Sequence, residues 1–416
     1  MRIAITGTGA VSPLGVGADV LCEALLAGEV GIRRLPWRPP EDPSLLGTLH
    51  DSFDPRDWMD ERVIRGTDPF ARIGLAATAQ ALRQAGLEDA LDQLRTAVVV
   101  GTSIGGSHSL THGQWAFDTK GAEAVDGKLM IQIWPNMAAS QICMRYDLHG
   151  PSLTVTTACA SSLDALGTAA RFIEAGLADV AITGGIEGAR DPASDPAYEP
   201  ATSAAESSYG MSTPSVDPKR AMLPFDANRT GIVSGEGAAF LVLESEAHAR
   251  ARGAEVLGWV RGYGSLADGY HPSSPEPSGR WEARAMELAQ ADAGIAPADV
   301  DAVIAHATGT PKGDAAEILA LNGVFVDGAG RDDLVVTGLK GNTGHTGASA
   351  GAMNILAGMW AMRHGRLPNV AGTTDLDPTV RFDVVLHEPR SVDLEVLQVN
   401  AFGFGGQDAS VLVTRS

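Results

Sequence analysis

Short apolar runs that end at glycine and lead straight into helix-patterned segments recur along this chain. That alternation confines it to a layered α/β fold. A β-patterned stretch at residues 153–157 runs into Ala158-Cys159-Ala160-Ser161-Ser162 and then into a helix whose apolar side carries Leu163, Leu166, Phe172 and Ile173. A strand at 180–183 follows and gives way to Gly184-Gly185, and an earlier buried-type strand at 96–100 ends at Gly101. From about residue 251 the pattern begins again, with strands at 255–261, 301–305 and 334–337 and helices at 280–293, from Asp314, and at 348–364. Two last strands lie around 403–406. Element order, rather than residue-level similarity, therefore predicts two halves of one layout, 1–250 and 251–416.

Outside this repeat, residues 2–6 read as a first strand, followed by a loop through Gly7, Gly9, Pro13 and Gly15 and a helix to about Leu26. Helical spacing from Phe70 to Ala85 stops at Gly86, a suitable C-terminal cap. Between Asp191 and Pro218 the chain is rich in Ser, Ala, Pro and acid with no clear period, which reads as a long lid or binding loop.

Lys and Arg number 31 against 51 Asp and Glu, a formal charge of -20, which argues against nucleic-acid or anionic-membrane binding. Three cysteines, Cys22, Cys143 and Cys159, share no CxxC spacing, so neither a disulfide framework nor a zinc site is expected. The start, MRIAITGTGAVSPLG, has no charged segment followed by an apolar one, and no run of 18 apolar residues occurs. The expected location is cytoplasmic.

Cys159 stands where a strand turns into a helix, and there the free N–H groups and helix dipole favour a thiolate. His306 follows the apolar run 303–305 and precedes Ala307-Thr308-Gly309-Thr310, and His345 lies between a strand and a helix in the segment 340–351. All three occupy strand-to-helix turns, where α/β sheets gather ligands and catalysts. The other eight histidines sit in polar or irregular contexts that suit a solvated or structurally bonded imidazole. In the segment from Asn400 to Gly406, glycines around Phe402 and Phe404 allow tight backbone geometry, suited either to an N–H aimed at a reacting carbonyl or to a plain hairpin. Gly7-Thr8-Gly9 lacks the third glycine of a dinucleotide fingerprint. Gly101-Thr102-Ser103-Ile104-Gly105 matches the nucleophile elbow of serine hydrolases, which makes Ser103 a rival nucleophile.

Seven ordered segments together resemble the β-ketoacyl synthases of the thiolase superfamily: ITGTGAVSPLG, VVVGTSIGG, PNMAASQICMRYDLHGPSLTVTTACASS, PFDANRTGIVSGEGAAFLVLE, HATGTPKGDAAE, LKGNTGHTGASAG and NAFGFGGQDAS. The resemblance spans essentially the whole chain. It implies a five-layered α-β-α-β-α fold from two similar halves, forming a dimer with itself or with a paralogous subunit. It also implies decarboxylative condensation on an acyl carrier protein, with no metal or redox cofactor. Position by position, it makes Cys159 the acyl-accepting nucleophile and His306 and His345 the catalytic histidines. Lys340 matches the supporting lysine and Glu317 the acid that pairs with it. Thr308 and Thr310 match the threonines on the phosphopantetheine arm, and Phe404 the gating aromatic whose N–H joins that of Cys159 in an oxyanion hole. Arg62 and Arg65 match carrier-docking positions, with Gly66 where relatives have a third cation.

Several departures bear on substrate. Ala307 adds a methyl group in the family's HGTGT, where the backbone is expected to approach the arm, and Gln407-Asp408 replaces the usual Thr-Asn. The segment from Asp191 to Tyr209 is longer and more acidic than the compact gate loop of fatty-acid elongating relatives, which points to a specialised substrate in polyketide or natural-product synthesis. Two alternatives share the same residues. One is an acyltransferase or cyclase that uses the Cys-His-His site without decarboxylation, and the other a subunit that sets chain length for a partner. Degradative thiolases carry a second late cysteine, and none follows Cys159.

Overall fold

The computed structural model of the chain describes residues 2–35, 44–188, 190, 191, 194 and 201–416, apart from the side chains of 202–204. The first half supplies strands β1 (Ile3–Ser12), β2 (Thr96–Gly101), β3 (Ser152–Val155), β4 (Val180–Glu187) and β5 (Gly237–Ser245). Its main helices are α1 (Pro69–Ala85), α2 (Met137–Tyr146) and α3 (Ser161–Glu174). From the second half come β6 (Gly258–Ala267), β7 (Ala302–Ile304), β8 (Val335–Thr337), β9 (Asp383–Val384), β10 (Val396–Gly403) and β11 (Gln407–Thr414). The matching helices are α4 (Arg280–Ala293), α5 (Pro311–Leu321) and α6 (Ala350–His364).

Strand order repeats between the halves. The first half runs β1-β5-β4-β2-β3 and the second β6-β11-β10-β7-β8, with β9 added beyond β8. In each, two antiparallel ladders come first and parallel ones follow. The halves meet where Ile3–Ile5 pairs antiparallel with Gly258–Val260, so one hydrogen-bonded ladder runs through both.

Side-chain alternation along the strands creates the layers. In β2, Val98 and Val100 face a core shared with α1 and α2, whereas Ala97 and Val99 face α3. In β7, Val303 faces α4 and α5, whereas Ala302 and Ile304 face α6. Helices α3 and α6 thus form a middle layer between the two half-sheets, which gives the five layers expected.

Two boundaries differ from the sequence reading for one physical reason. β1 continues through Gly7 and Gly9, and β4 continues through Gly184 and Gly185. A Cβ at Gly7 or Gly9 would lie 2.1 Å from the carbonyl oxygen of Ala81 or Ala77 in α1, so these glycines let a helix backbone settle on a strand. The expected acidic loop contains a helix, Ala201–Ser208, and its residues 192, 193 and 195–200 lie outside the described residues.

Candidate active site

Cys159 sits in a single 3-10 turn, Ala158–Ala160, between β3 and α3. Ala158 has φ +49°, a left-handed backbone that costs a side-chain-bearing residue about 1–3 kcal/mol. The surroundings hold it there: the Ser161 hydroxyl donates to Ala158 O at 2.6 Å and accepts from Thr157 N at 2.9 Å. Thr157 also donates to Asp164, whose other oxygen accepts from the Tyr263 hydroxyl at 2.6 Å, so β6 of the second half braces the nucleophile turn.

His306 follows β7. Glu317 accepts from the backbone N–H of His306 at 2.8 Å and of Ala307 at 2.7 Å, fixing a loop in which Ala307 has φ +45°. His345 follows β8, and its backbone is clamped between Val233 O at 2.7 Å and Gly235 N at 2.8 Å. In the repeat, His345 stands where Cys159 stands in the other half, each between a parallel strand and a middle-layer helix.

Reactive atoms of Cys159, His306 and His345 all lie within 4.8 Å of one another. The imidazoles meet edge to face, with centroids 5.4 Å apart. His306 Nδ1 lies 3.3 Å from Lys340 Nζ, which also donates to His306 O, and His345 Nδ1 accepts from Gly347 N at 3.2 Å. With both Nδ1 lone pairs occupied, Nε2 carries the hydrogen in each ring. This makes the pair donors toward an oxygen instead of metal ligands. Burial, together with the Lys340 charge, holds both imidazoles well below their usual range, so both are neutral near pH 7.

The thiolate expectation at Cys159 needs correction. Burial pushes the thiol up to about 11, against the opposing pull of Lys340 and of the backbone N–H groups of Cys159 and Phe404. The helix terminus is outweighed by desolvation. Those two N–H groups both act on the Cys159 thiol, and an oxyanion hole would need them aimed at the oxygen of the acyl group attached there. Gly403 lets the two segments approach, since a Cβ there would lie 2.6 Å from Thr157 O and 3.2 Å from Cys159 N.

Glu317 and Lys340 are both buried, and among the described residues their hydrogen bonds go to the His306–Ala307 backbone and to His306 rather than to each other. Both Glu317 oxygens are taken by backbone N–H groups, so it acts on Lys340 through space. Burial raises the carboxyl and lowers the ammonium.

Thr308 and Thr310 line a cavity of about 1300 Å³ with Cys159, His306, His345 and Phe404, and their hydroxyls are 2.9 Å apart. The Ala307 methyl does not face it. Fully buried, it packs in the core shared by α4 and α5, where a Cβ on Gly338 would lie 2.9 Å away, so it adds nothing to the wall near the arm. Ser103 also lines the cavity, but among the described residues no histidine bonds its hydroxyl, and its N–H donates to Glu187 at 3.2 Å.

Arg62 and Arg65 are exposed on the short helix Glu61–Gly66, away from the cavity. Gly66 leaves no gap in charge, because Lys128 from a distant segment brings its ammonium within 3.4 Å of Arg65 O. Nothing in local spacing announces this neighbour. Sequence reading also passed over Glu187, buried at the end of β4, whose Oε2 accepts from Ser103 N and Ala348 N and whose charge acts on Cys159. Its signal was an acid closing an otherwise apolar strand.

Two family profiles match the chain: β-ketoacyl synthase, N-terminal domain, over residues 1–249, and β-ketoacyl synthase, C-terminal domain, over residues 257–374. The chain belongs to the β-ketoacyl synthase family. Among curated relatives, the 3-oxoacyl-[acyl-carrier-protein] synthase 2 of Rhizobium meliloti is 34% identical, covering 100% of this chain and 99% of that one. The enzyme of the same name from Coxiella burnetii is 33% identical over 100% and 98%. Among solved structures, the ishigamide ketosynthase/chain length factor superposes with a TM-score of 0.89 at 29% identity, covering 100% of this synthase and 99% of that chain. A β-ketoacyl synthase from Burkholderia phymatum also gives 0.89, at 31% identity and the same coverage. This synthase is accordingly an acyltransferase that forms carbon–carbon bonds. No helix among the described residues is long and apolar enough to cross a membrane.

Proposed function

We propose that Cys159 accepts an acyl group from a carrier thioester and that His306 and His345 stabilise the enolate formed when a malonyl-type extender loses carbon dioxide. The observation that carries this reading is the meeting of one thiol with two neutral imidazoles whose Nε2–H groups are free to donate. The thiol loses its proton as it attacks the thioester. Charge on the tetrahedral oxygen falls to the N–H groups of Cys159 and Phe404, and the carrier thiol leaves with a proton. The malonyl carboxylate then departs as carbon dioxide, and its electron pair moves onto the thioester carbonyl between the two imidazoles. The resulting carbanion attacks acyl-Cys159, giving a β-ketoacyl thioester and a Cys159 thiolate, which takes one proton from solvent.

Neutral imidazoles suit this step because they stabilise the enolate by hydrogen bonding without protonating it. Lys340 and Glu317 are positioning residues for His306, one through its ring and carbonyl, the other through its backbone. Thr308 and Thr310 bind the phosphopantetheine arm, and no metal or redox cofactor takes part. Arg62, Arg65 and Lys128 form the docking face for an acidic acyl carrier protein, supported by their exposure on a chain of charge -20. The two halves, 1–250 and 251–416, contribute the cysteine and the histidines respectively. The protein works in the cytoplasm as a dimer with itself or a paralogous chain. Support for the dimer comes from the edge strand β3, where Leu153 is half exposed, and from other exposed apolar side chains of the first half, Leu110, Phe117, Met130, Ile131 and Trp134.

Carbon dioxide release from a malonyl-carrier tests the reading. The wild type should release it once Cys159 is acylated, and His306→Ala and His345→Ala should each slow release by about 10²-fold or more. Acyl transfer without any carbon dioxide would instead establish the acyltransferase or cyclase alternative.

A further inference from the structure

Strand β4 ends in Gly185-Ile186-Glu187, and alternation places Gly185 and Glu187 on one face while Ile186 enters the core shared with α1. That face meets the 3-10 turn Gly347–Ser349, which begins two residues beyond His345. A Cβ on Gly185 would lie 2.3 Å from Ala348 O, so the turn rests directly on the strand backbone. Glu187 Oε2 accepts from Ala348 N at 3.1 Å, and a Cβ on Gly347 would lie only 2.4 Å from Glu187 Cγ. The buried glutamate is therefore pressed against both residues of this turn.

Gly347 N is the group that donates to His345 Nδ1 at 3.2 Å and so leaves the ring hydrogen on Nε2. Glu187 thus holds the backbone on which the His345 tautomer depends. The same oxygen accepts from Ser103 N, just beyond β2, at 3.2 Å, so one carboxyl ties the end of a first-half strand to the histidine turn of the second half. We propose that Glu187 is a positioning residue for His345, which keeps its Nε2–H directed at the extender's thioester oxygen by fixing Gly347 and Ala348. The inference rests on His345 stabilising the enolate, as proposed above.

Acceptor geometry, not charge, performs this role. Both contacts fall to Oε2, and Oε1 has no hydrogen-bond partner among the described residues, so a glutamine can offer its carbonyl oxygen in the same place. The carboxylate charge opposes the Cys159 thiolate, and its removal should not hinder acylation. An anchor for the whole cavity would slow every step alike when removed. A positioning residue for His345 slows only the step that uses His345.

Two rates measured separately make the distinction: Cys159 acylation by intact-protein mass spectrometry, and carbon dioxide release from a malonyl-carrier by enzyme already acylated. Glu187→Ala should slow release at least about tenfold while Cys159 loads no more slowly than in the wild type. Glu187→Gln should stay within about threefold of the wild type in release, and adding Glu187→Ala to His345→Ala should cost less than about threefold more. Thermal melts identify folded variants. If Glu187→Ala is unfolded, Glu187→Asp takes its place with the same expected pattern, because its shorter side chain draws the acceptor away from Ala348 N. Release at the wild-type rate in the folded Ala or Asp variant, equal losses in loading and release, a Gln variant as slow as that variant, or losses that multiply with that of His345→Ala would each overturn the inference. A wild type that releases no carbon dioxide would instead remove the role proposed for His345, and the inference with it.

Discussion

At Cys159, burial opposes the ionisation that thiol chemistry needs. The thiol is raised to about 11, so the resting enzyme holds it protonated and the thiolate forms only as substrate arrives. Iodoacetamide alkylation of Cys159 should therefore keep rising up to about pH 10, whereas an ordinary thiol with a pKa of about 8.5 would already level off. A plateau near neutral pH would show that the helix terminus prevails over burial. Asp408 makes a second prediction. It and Glu282 are buried, and each keeps one oxygen without a hydrogen-bond partner, while Asp268 adds a like charge that, with burial, lifts Asp408 to about 7. Between the ordinary carboxylate value of 3.8 and about 7, the folded chain holds a proton that the unfolded chain has released. Stability from this group is therefore greatest below that window and lost as pH rises through it. Asp408→Asn should stabilise the protein by roughly 2–4 kcal/mol at pH 8 and by less at pH 5, as read from denaturant melts. An equal effect at both pH values would contradict this account. Residues in strand-to-helix turns were legible from the sequence because chemistry and punctuation coincide there. Lys128 was not, because only tertiary packing brings it to Arg65.

Among the elements, the GFGG hairpin between β10 and β11 carries the tightest constraint. Gly403 brings the Phe404 N–H to the Cys159 sulfur only because it has no side chain to strike Thr157 O. Gly403→Ala should lower kcat by about 10²–10³, the usual effect of losing one oxyanion donor, with a much smaller change in thermal stability. A variant with normal kcat would show that this N–H does not share the developing charge. Strand and helix order was legible because each half alternates buried apolar runs with amphipathic helices. Strand ends were misread at Gly7 and Gly184, where glycine serves close packing and not a turn. The Ala307 methyl was misplaced for a related reason: sequence reveals an added methyl but not the left-handed backbone that turns it into the core.

Over the whole molecule, the repeat brings two chemically different turns together. The Cys159 and His345 turns are counterparts around the middle helices, so one layout supplies both the nucleophile and a hydrogen-bond donor. The exposed edge β3 predicts a second chain on this face. Sedimentation should give twice the 43.1 kDa of one chain for the protein alone, or a stable complex with a paralogue when the two are produced together. Leu153→Lys should weaken that association. A wild type that remains monomeric in both settings would refute the prediction. The central claim, that Cys159 receives the acyl group, is tested most directly by intact-protein mass spectrometry after incubation with an acyl-carrier. The account predicts one added acyl mass on the wild type and none on Cys159→Ala, and a label of equal extent on Cys159→Ala would contradict it.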